Sequence, residues 1–370
     1  SGCSNAAGKP RRPVPSTRPS PWAGWYLGRR ARPEPNIIRT TFSLLSPSGP
    51  EARLSVLIFH RVLAVADPMF PDEPDAARFY TICGWLARWF NVLPLDVAVS
   101  RLRAGNLPPR AAAITFDGGY ADNHDVALPI LRRHGLPATF FIATGFLDGG
   151  RMWNDTVIEC VRRAPDRTMD LSCLGLQGIG HLDVSDRAAK RAAVGQLLRA
   201  LKYLPLPTRN ALVEQLAASS SALLPSDLMM RSEQVRALRD AGMQVGAHTQ
   251  THPILSSLSR EQARAEMLGS KQALERLLSE PVRSFAYPNG KPDADYTAES
   301  VQLARELGFE LAVSTAWGAA RRSVDPLQVP RFTPWDRARW RFAARLANNL
   351  RAEGQRATTS VGRQHSDAAH

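Results

Sequence analysis

Short apolar runs alternate with helix-patterned stretches along most of this chain, and that alternation limits its fold more than any other feature. The runs are L-S-V-L-I-F at 54 to 59, A-A-A-I-T-F at 111 to 116, A-T-F-F-I-A at 138 to 143, M-Q-V-G-A at 243 to 247 and a last repeat at 310 to 315. Between them, helical periodicity covers about 76 to 90, 95 to 104, 125 to 134, 259 to 279 and 297 to 307. Strands this apolar must be covered on both faces, as in parallel sheets whose crossovers are helices. The pattern therefore predicts a parallel sheet or barrel rather than an antiparallel sandwich.

The rhythm breaks twice. From Gly150 to about Ser232 the stretches 187 to 204 and 208 to 218 read as amphipathic helices with no strand between them, which predicts a helical insertion at about 151 to 231 on the barrel rim. Residues 1 to 50 hold nine prolines among Arg, Ser and Gly, a composition that cannot bury enough surface to fold and predicts an unstructured segment. The ordered domain is expected over 51 to 336, followed by a basic C-terminal helix and tail at 337 to 370.

The net charge of +13 is carried mostly by the ends, +7 in residues 1 to 40 and +5 in residues 337 to 370. A nearly neutral central domain argues against a specific nucleic-acid partner. The basic tails are either solvated or in peripheral contact with anionic membrane or polyanions. Four cysteines without a C-x-x-C pair exclude a cysteine zinc cluster and outline no disulfide framework. No apolar stretch approaches 20 residues, and no hydrophobic region follows the N-terminal basic residues. The expectation is a cytoplasmic or inner-membrane-associated protein.

Several strands end on reactive side chains. Asp117 closes the run at 111 to 116 and is followed by two glycines, either a simple turn or a carboxylate held at a strand mouth. His60 closes the first strand, where a buried hydrogen-bonded histidine and a catalytic one read alike. His248 and His252 follow Ala247 on a stretch bounded by Gly246 and Pro253, hence on a loop, where two imidazoles can converge on one ion. Arg283 stands near the start of a short run that breaks at Pro288-Asn289-Gly290, and L-Q-V-P-R-F offers Arg331 further on. Trp153-Asn154-Asp155 is either a packed anchor for the insertion or a sugar-stacking platform with polar partners.

In this order, T-F-D-G-G-Y, G-A-H-T-Q-T-H-P and R-S-F-A-Y-P-N-G resemble the motifs of the polysaccharide deacetylases, the NodB-homology group or carbohydrate esterase family four. L-I-F-H-R-V resembles the opening strand of many bacterial members, and the resemblance spans about 54 to 336. It implies a distorted (β/α) barrel and a metal-dependent hydrolase that removes N- or O-acetyl groups from an acetylated carbohydrate, a polysaccharide or glycan precursor. It further implies Asp117 as general base, Arg283 (with Pro288) orienting it, the Tyr287 backbone N–H serving the oxyanion, and His248 and His252 as metal ligands. The cofactor implied is a divalent ion, Zn²⁺ first and Ni²⁺, Co²⁺ or Mn²⁺ next, which activates water.

Two positions depart from the pattern. The second acid of the family's T-F-D-D-G, a metal ligand there, is Gly118 here, so the third ligand must be water, Asp122, Asp125 or Asp117 itself. Loss of even a supporting group at a metal site weakens binding roughly 10- to 100-fold, which implies impaired activity. The L-x-H motif that supplies the usual general acid is absent, leaving His60 as the candidate. A non-catalytic carbohydrate-binding or scaffold protein on the same fold is the alternative.

Overall fold

The computed structural model of the protein describes residues 37–358, apart from residues 166, 221, 222 and 335. Most of the N-terminal segment expected to be unstructured, and the tail after residue 358, lie outside the described residues. The seven-stranded sheet contains β1 (Leu54–Phe59), β3 (Ala111–Gly118), β4 (Thr139–Ile142), β7 (Gln244–Ala247), β8 (Ser284–Ala286) and β9 (Leu311–Val313) in that spatial order, with β2 (Asn91–Val92) added beside β3. Every pairing in it is parallel. β5 (Thr168–Asp170) and β6 (His181–Asp183) form a separate antiparallel pair.

The open edge between β9 and β1 is closed by an extended segment. Val329 bridges Val313, and three residues later Phe332 bridges Leu57. Phe332 donates to Val56 O at 2.7 Å and accepts from Ile58 N at 3.0 Å. This is the L-Q-V-P-R-F stretch, and its insertion turns the curled sheet into a distorted barrel with Arg331 in its wall.

Strand parity sorts the side chains. On β3, Ala111, Ala113, Thr115 and Asp117 share one face because side chains alternate. Ala111 and Ala113 enter a buried core with Leu54 and Val56 of β1, Phe141 and Val313, while Thr115 and Asp117 share the guanidinium of Arg331. Ile114 and Phe116 lie on the opposite face. There Phe116 stacks on Phe140 at 4.7 Å and on Phe59 at 5.4 Å, with Phe79 of α2 (Ala76–Trp89) set edge-on at 5.7 Å. Phe116 and Phe140 are fully buried, and truncating either to Ala should cost about 3–5 kcal/mol.

Helices cover the strands, α3 (Leu95–Ala104), α4 (Leu128–His134), α9 (Arg260–Leu278) and α10 (Ala298–Glu306) as expected, with the shorter α8 (Ser232–Asp240) leading into β7. Two features differ from expectation. α1 (Ile37–Leu45) is an ordered helix inside the Pro-rich stretch, because Ile38 and Phe42, one turn apart, are buried and Phe42 meets Phe90 at 4.7 Å and Trp89 at 6.0 Å. The insertion is not purely helical: α5 (Trp153–Arg162), α6 (Arg187–Lys202) and α7 (Leu206–Ser219) are joined by the β5–β6 pair. Each of those strands has three residues with one apolar side chain, Met169 or Leu182, too few for alternation to show. The insertion has its own core around Val157, Leu182, Val194, Leu197 and Leu216. At the other end, α11 (Arg339–Arg351) packs beside α1 and β1. Among the described residues, no helix is long and apolar enough to cross a membrane.

Candidate active site

The C-terminal ends of the parallel strands open into one cleft of about 270 Å³, near the lower end of small-ligand sites. His60, Asp117, Gly118, His248, His252 and Asn289 line it, and the insertion adds Met152, Trp153, Asn154, Leu198 and Lys202. Four residues predicted from the sequence, Asp117, His60, His248 and His252, are thus brought together.

Asp117 is held by Arg331. The guanidinium donates from Nη1 to Oδ1 and from Nη2 to Oδ2, both at 2.7 Å, and the two residues are 2% and 1% exposed. Arg331 Nε donates to Ser314 O at 2.8 Å and Nη1 also to Thr115 Oγ1 at 3.2 Å, so its planar fork is fixed on three sides. Burial alone would raise the Asp117 pKa, but the Arg331 charge, the nearby histidines and the paired hydrogen bonds outweigh it and bring it to about 2. The carboxylate is ionised throughout the ordinary pH range.

His248 begins the loop after β7. Its Nδ1 lies 2.8 Å from Ala286 O, which can only accept, so Nδ1 carries the proton and Nε2 presents a lone pair 4.0 Å from Asp117 Oδ2. The His252 ring stands edge-on to it, centroids 4.7 Å apart. Burial lowers both pKa values, that of His252 well below the ordinary histidine range, so both imidazoles are neutral near pH 7. The loop is strained: Thr249 and His252 take φ of +63° and +54°, conformations that non-glycine residues rarely adopt. Glu266 of α9 holds it, accepting from Gln250 N at 2.8 Å, Thr251 N at 2.9 Å and Thr251 Oγ1 at 2.6 Å. His60, one residue beyond β1, opens to the cleft; the surrounding protein desolvates it and lowers its pKa, with Asp117 opposing.

Two sequence-based assignments are corrected. Arg283 lies before β8, at the opposite end of the strand from the cleft, where its exposed side chain faces Glu310 at 3.5 Å. Three strand residues at about 3.3 Å each separate it from the mouth, and the arginine that reaches Asp117 is Arg331. The Tyr287 N–H donates to Val313 O at 3.2 Å, so it extends the β8–β9 ladder and is unavailable to an oxyanion. Its ring stacks on Tyr296 at 4.0 Å, its hydroxyl donates to Leu327 O, and Pro288 beside it is buried and has no N–H to offer.

The donor set does not fit a catalytic zinc centre, which takes three protein ligands. His248 and His252 offer two nitrogens. Gly118 offers nothing, and a Cβ placed on it at its φ of +108° would come within 2.8 Å of the Tyr120 ring and 3.2 Å of Met152. Asp122 accepts from Arg61 Nε at 2.8 Å and Val62 N at 3.1 Å, and Asp125 pairs with His124 and Gln234, so neither turns toward the histidines. Asp117 gives one lone pair of each oxygen to the Arg331 fork, which fixes its orientation. Among the described residues, no three His, Cys, Asp or Glu side chains converge on a metal position.

Arg331, which clamps Asp117, and Glu266, which holds the histidine loop, are the site residues hardest to see in the sequence. Arg331 left one trace, an arginine inside an otherwise apolar extended run; Glu266 is one of several acids on a polar helix face and left none.

Comparison with known proteins agrees with this architecture. The chain is similar to a Bacillus subtilis (strain 168) protein assigned by name to the polysaccharide deacetylases, YxkH, at 20% identity over 73% of this chain and 67% of the other. Its fold is similar to that of the Streptococcus pyogenes deacetylase PplD, solved with acetate (TM-score 0.54, 18% identity, 81% of this chain and 98% of that one). It is also similar to IcaB from Ammonifex degensii (TM-score 0.50, 18% identity, 83% and 99%). The polysaccharide deacetylase family profile matches residues 104–168 and 186–312, more than half of the chain, and the chain belongs to that family.

Proposed function

We propose that this chain is a hydrolase of acetylated carbohydrate that removes acetyl groups from a polysaccharide or glycan precursor, at a rate limited by its incomplete metal position. The observation that carries the reading is the convergence of the clamped Asp117 carboxylate with His60, His248 and His252 in one cleft. Asp117, ionised and unable to rotate, is the base that takes a proton from the attacking water. The proton that Asp117 takes up passes on through His60, neutral and open to the cleft, to the departing amine or alkoxide. The clamp that orients Asp117 also holds its pKa near 2, which makes it a weak base. No step is assigned to a metal, because two imidazoles do not complete its ligand set.

A second reading, glycan binding without turnover, is favoured by the side chains of Tyr120 and Met152 packed where a third ligand would stand. One experiment separates the two. Acetate release is measured from N-acetylated and O-acetylated oligosaccharides, with added Zn²⁺ and with chelator, beside direct binding of the same sugars. Turnover abolished by Asp117→Asn supports the hydrolase. Binding that is indifferent to chelator and yields no acetate overturns it in favour of the second reading.

A further inference from the structure

The insertion contributes five residues to the cleft wall, yet the hydrolytic groups all belong to the barrel. Its contribution has a definite chemistry. Trp153, the first residue of α5, is half-buried, borders the cleft and is braced by Arg209 of α7, whose guanidinium carbon sits 4.8 Å from the ring centroid. Arg209 is 3% exposed, its Nε has no hydrogen-bond partner, and among the described residues no carboxylate pairs with it. Beside the indole, the Asn154 Oδ1 is likewise unpartnered. From α6, Leu198 and Lys202 complete this wall.

The charge on this side is positive. Asp117 is neutralised by Arg331. The carboxylate nearest Lys202, Asp295 Oδ1, lies 3.9 Å from its Nζ, beyond hydrogen-bonding distance, and the other oxygen of Asp295 accepts from Lys291 N at 3.0 Å. Lys202 is thus ion-paired with Asp295 and stands 5.0 Å over the Tyr203 ring, but among the described residues its ammonium donates no hydrogen bond, so its N–H groups can turn to a ligand in the cleft.

We propose that the insertion forms a recognition subsite for an acidic sugar, its pyranose ring stacked on Trp153 and its carboxylate paired with Lys202, next to the acetylated residue at Asp117. An aromatic platform supplies apolar contact for the ring's C–H face, and a cation in a partly desolvated wall selects the anionic substituent. Arg209 is a positioning residue: it fixes the indole and adds positive potential behind it. The inference rests on the deacetylase reading and deepens it to a glycan in which acidic and acetylated sugars are neighbours.

Isothermal titration calorimetry with the full chain tests it, using a tetrasaccharide of alternating N-acetylglucosamine and glucuronic acid against neutral chitotetraose. The acidic probe is expected to bind about tenfold tighter. Trp153→Ala should weaken both probes about tenfold, whereas Lys202→Met should weaken only the acidic one and abolish the preference. If Trp153→Ala unfolds, Trp153→Phe and the solvent-accessible Lys202→Met carry the test. Equal binding of the two probes to wild type, or binding unchanged in these variants, overturns the subsite and leaves the deacetylase reading standing. Failure of wild type to bind either probe overturns both.

Discussion

Arg331 and Asp117, separated by 214 residues in sequence, meet through two parallel 2.7 Å hydrogen bonds inside the barrel wall. Neither side chain can leave without stranding a buried charge. Arg331→Met should therefore destabilise the fold by about 3–5 kcal/mol, read as a lower denaturant midpoint. Arg331→Lys keeps the charge but loses the fork and should recover only part of that stability. The acid limb has a defined sign. Asp117 is depressed from 3.8 to about 2 in the folded protein, so its contribution is complete above the unfolded pKa and is lost as pH falls through about 2. In the Arg331→Met protein burial acts without the opposing guanidinium and raises the Asp117 pKa, so acidification should relieve the stranded charge and narrow the stability gap to wild type; an acid-unfolding curve parallel to that of wild type would refute the clamp.

Gly118→Asp is the obvious attempt to rebuild a family metal site, and the local geometry predicts that it fails alone. The backbone there has φ of +108°, and the new Cβ would stand 2.8 Å from Tyr120 Cε2. Strain and overpacking together should cost about 1–3 kcal/mol. Thermal unfolding should show a lowered midpoint that added Zn²⁺ does not restore. Pairing Gly118→Asp with Tyr120→Ser removes the ring and should produce a Zn²⁺-dependent rise in the midpoint. A zinc-dependent rise in the single variant would show that the ring yields more readily than its packing suggests.

The sequence made the barrel legible because each strand is a short apolar run flanked by a helical pattern, and it made the histidine loop legible because Gly246 and Pro253 bracket it. What it hid has physical reasons. Arg283 and Arg331 are both arginines on short extended segments, and only the direction of the strand tells that one stands at its entrance and the other in the wall that closes the barrel. Resemblance selected the wrong one. Tyr287 was misassigned because the length of a β-ladder is set by the partner strand, so its N–H was already spent on Val313. The fit of Tyr120 against Gly118 depends on a positive φ that two adjacent glycines permit but do not announce.

Asp155 gives a pH signature of opposite sign to that of Asp117. Buried at the start of the insertion, it accepts from the Tyr120 hydroxyl at 3.3 Å, and its Oδ2 has no partner. Burial raises its pKa to about 6 despite the opposing charge of Arg61. The folded state therefore holds a proton that the unfolded state releases at lower pH, and stability should fall as pH rises from about 4 through about 6. The loss is on the order of 3 kcal/mol at pH 7. Asp155→Asn keeps the shape and an acceptor for Tyr120 while removing the charge. It should melt higher than wild type at pH 7.5 and lose the advantage at pH 4.5; equal midpoints at both would mean that this carboxyl is solvated.

Arg283 supplies the control that separates resemblance from geometry. Were it the residue that orients the base, Arg283→Ala would reduce acetate release about as severely as any change at Asp117. In the folded chain its side chain is 63% exposed and faces Glu310, itself 67% exposed, at 3.5 Å. Exposed pairs of this kind contribute about 0–1 kcal/mol, and less as salt screens them. Arg283→Ala should leave the unfolding midpoint within about 0.5 kcal/mol of wild type. Its turnover and oligosaccharide affinity should be unchanged, whereas Arg331→Lys, a smaller chemical change, should impair turnover. The ranking of these two variants in one acetate-release assay reports which arginine serves Asp117. An Arg283→Ala protein more damaged than Arg331→Lys would place the orienting contact elsewhere than in the barrel-closing strand.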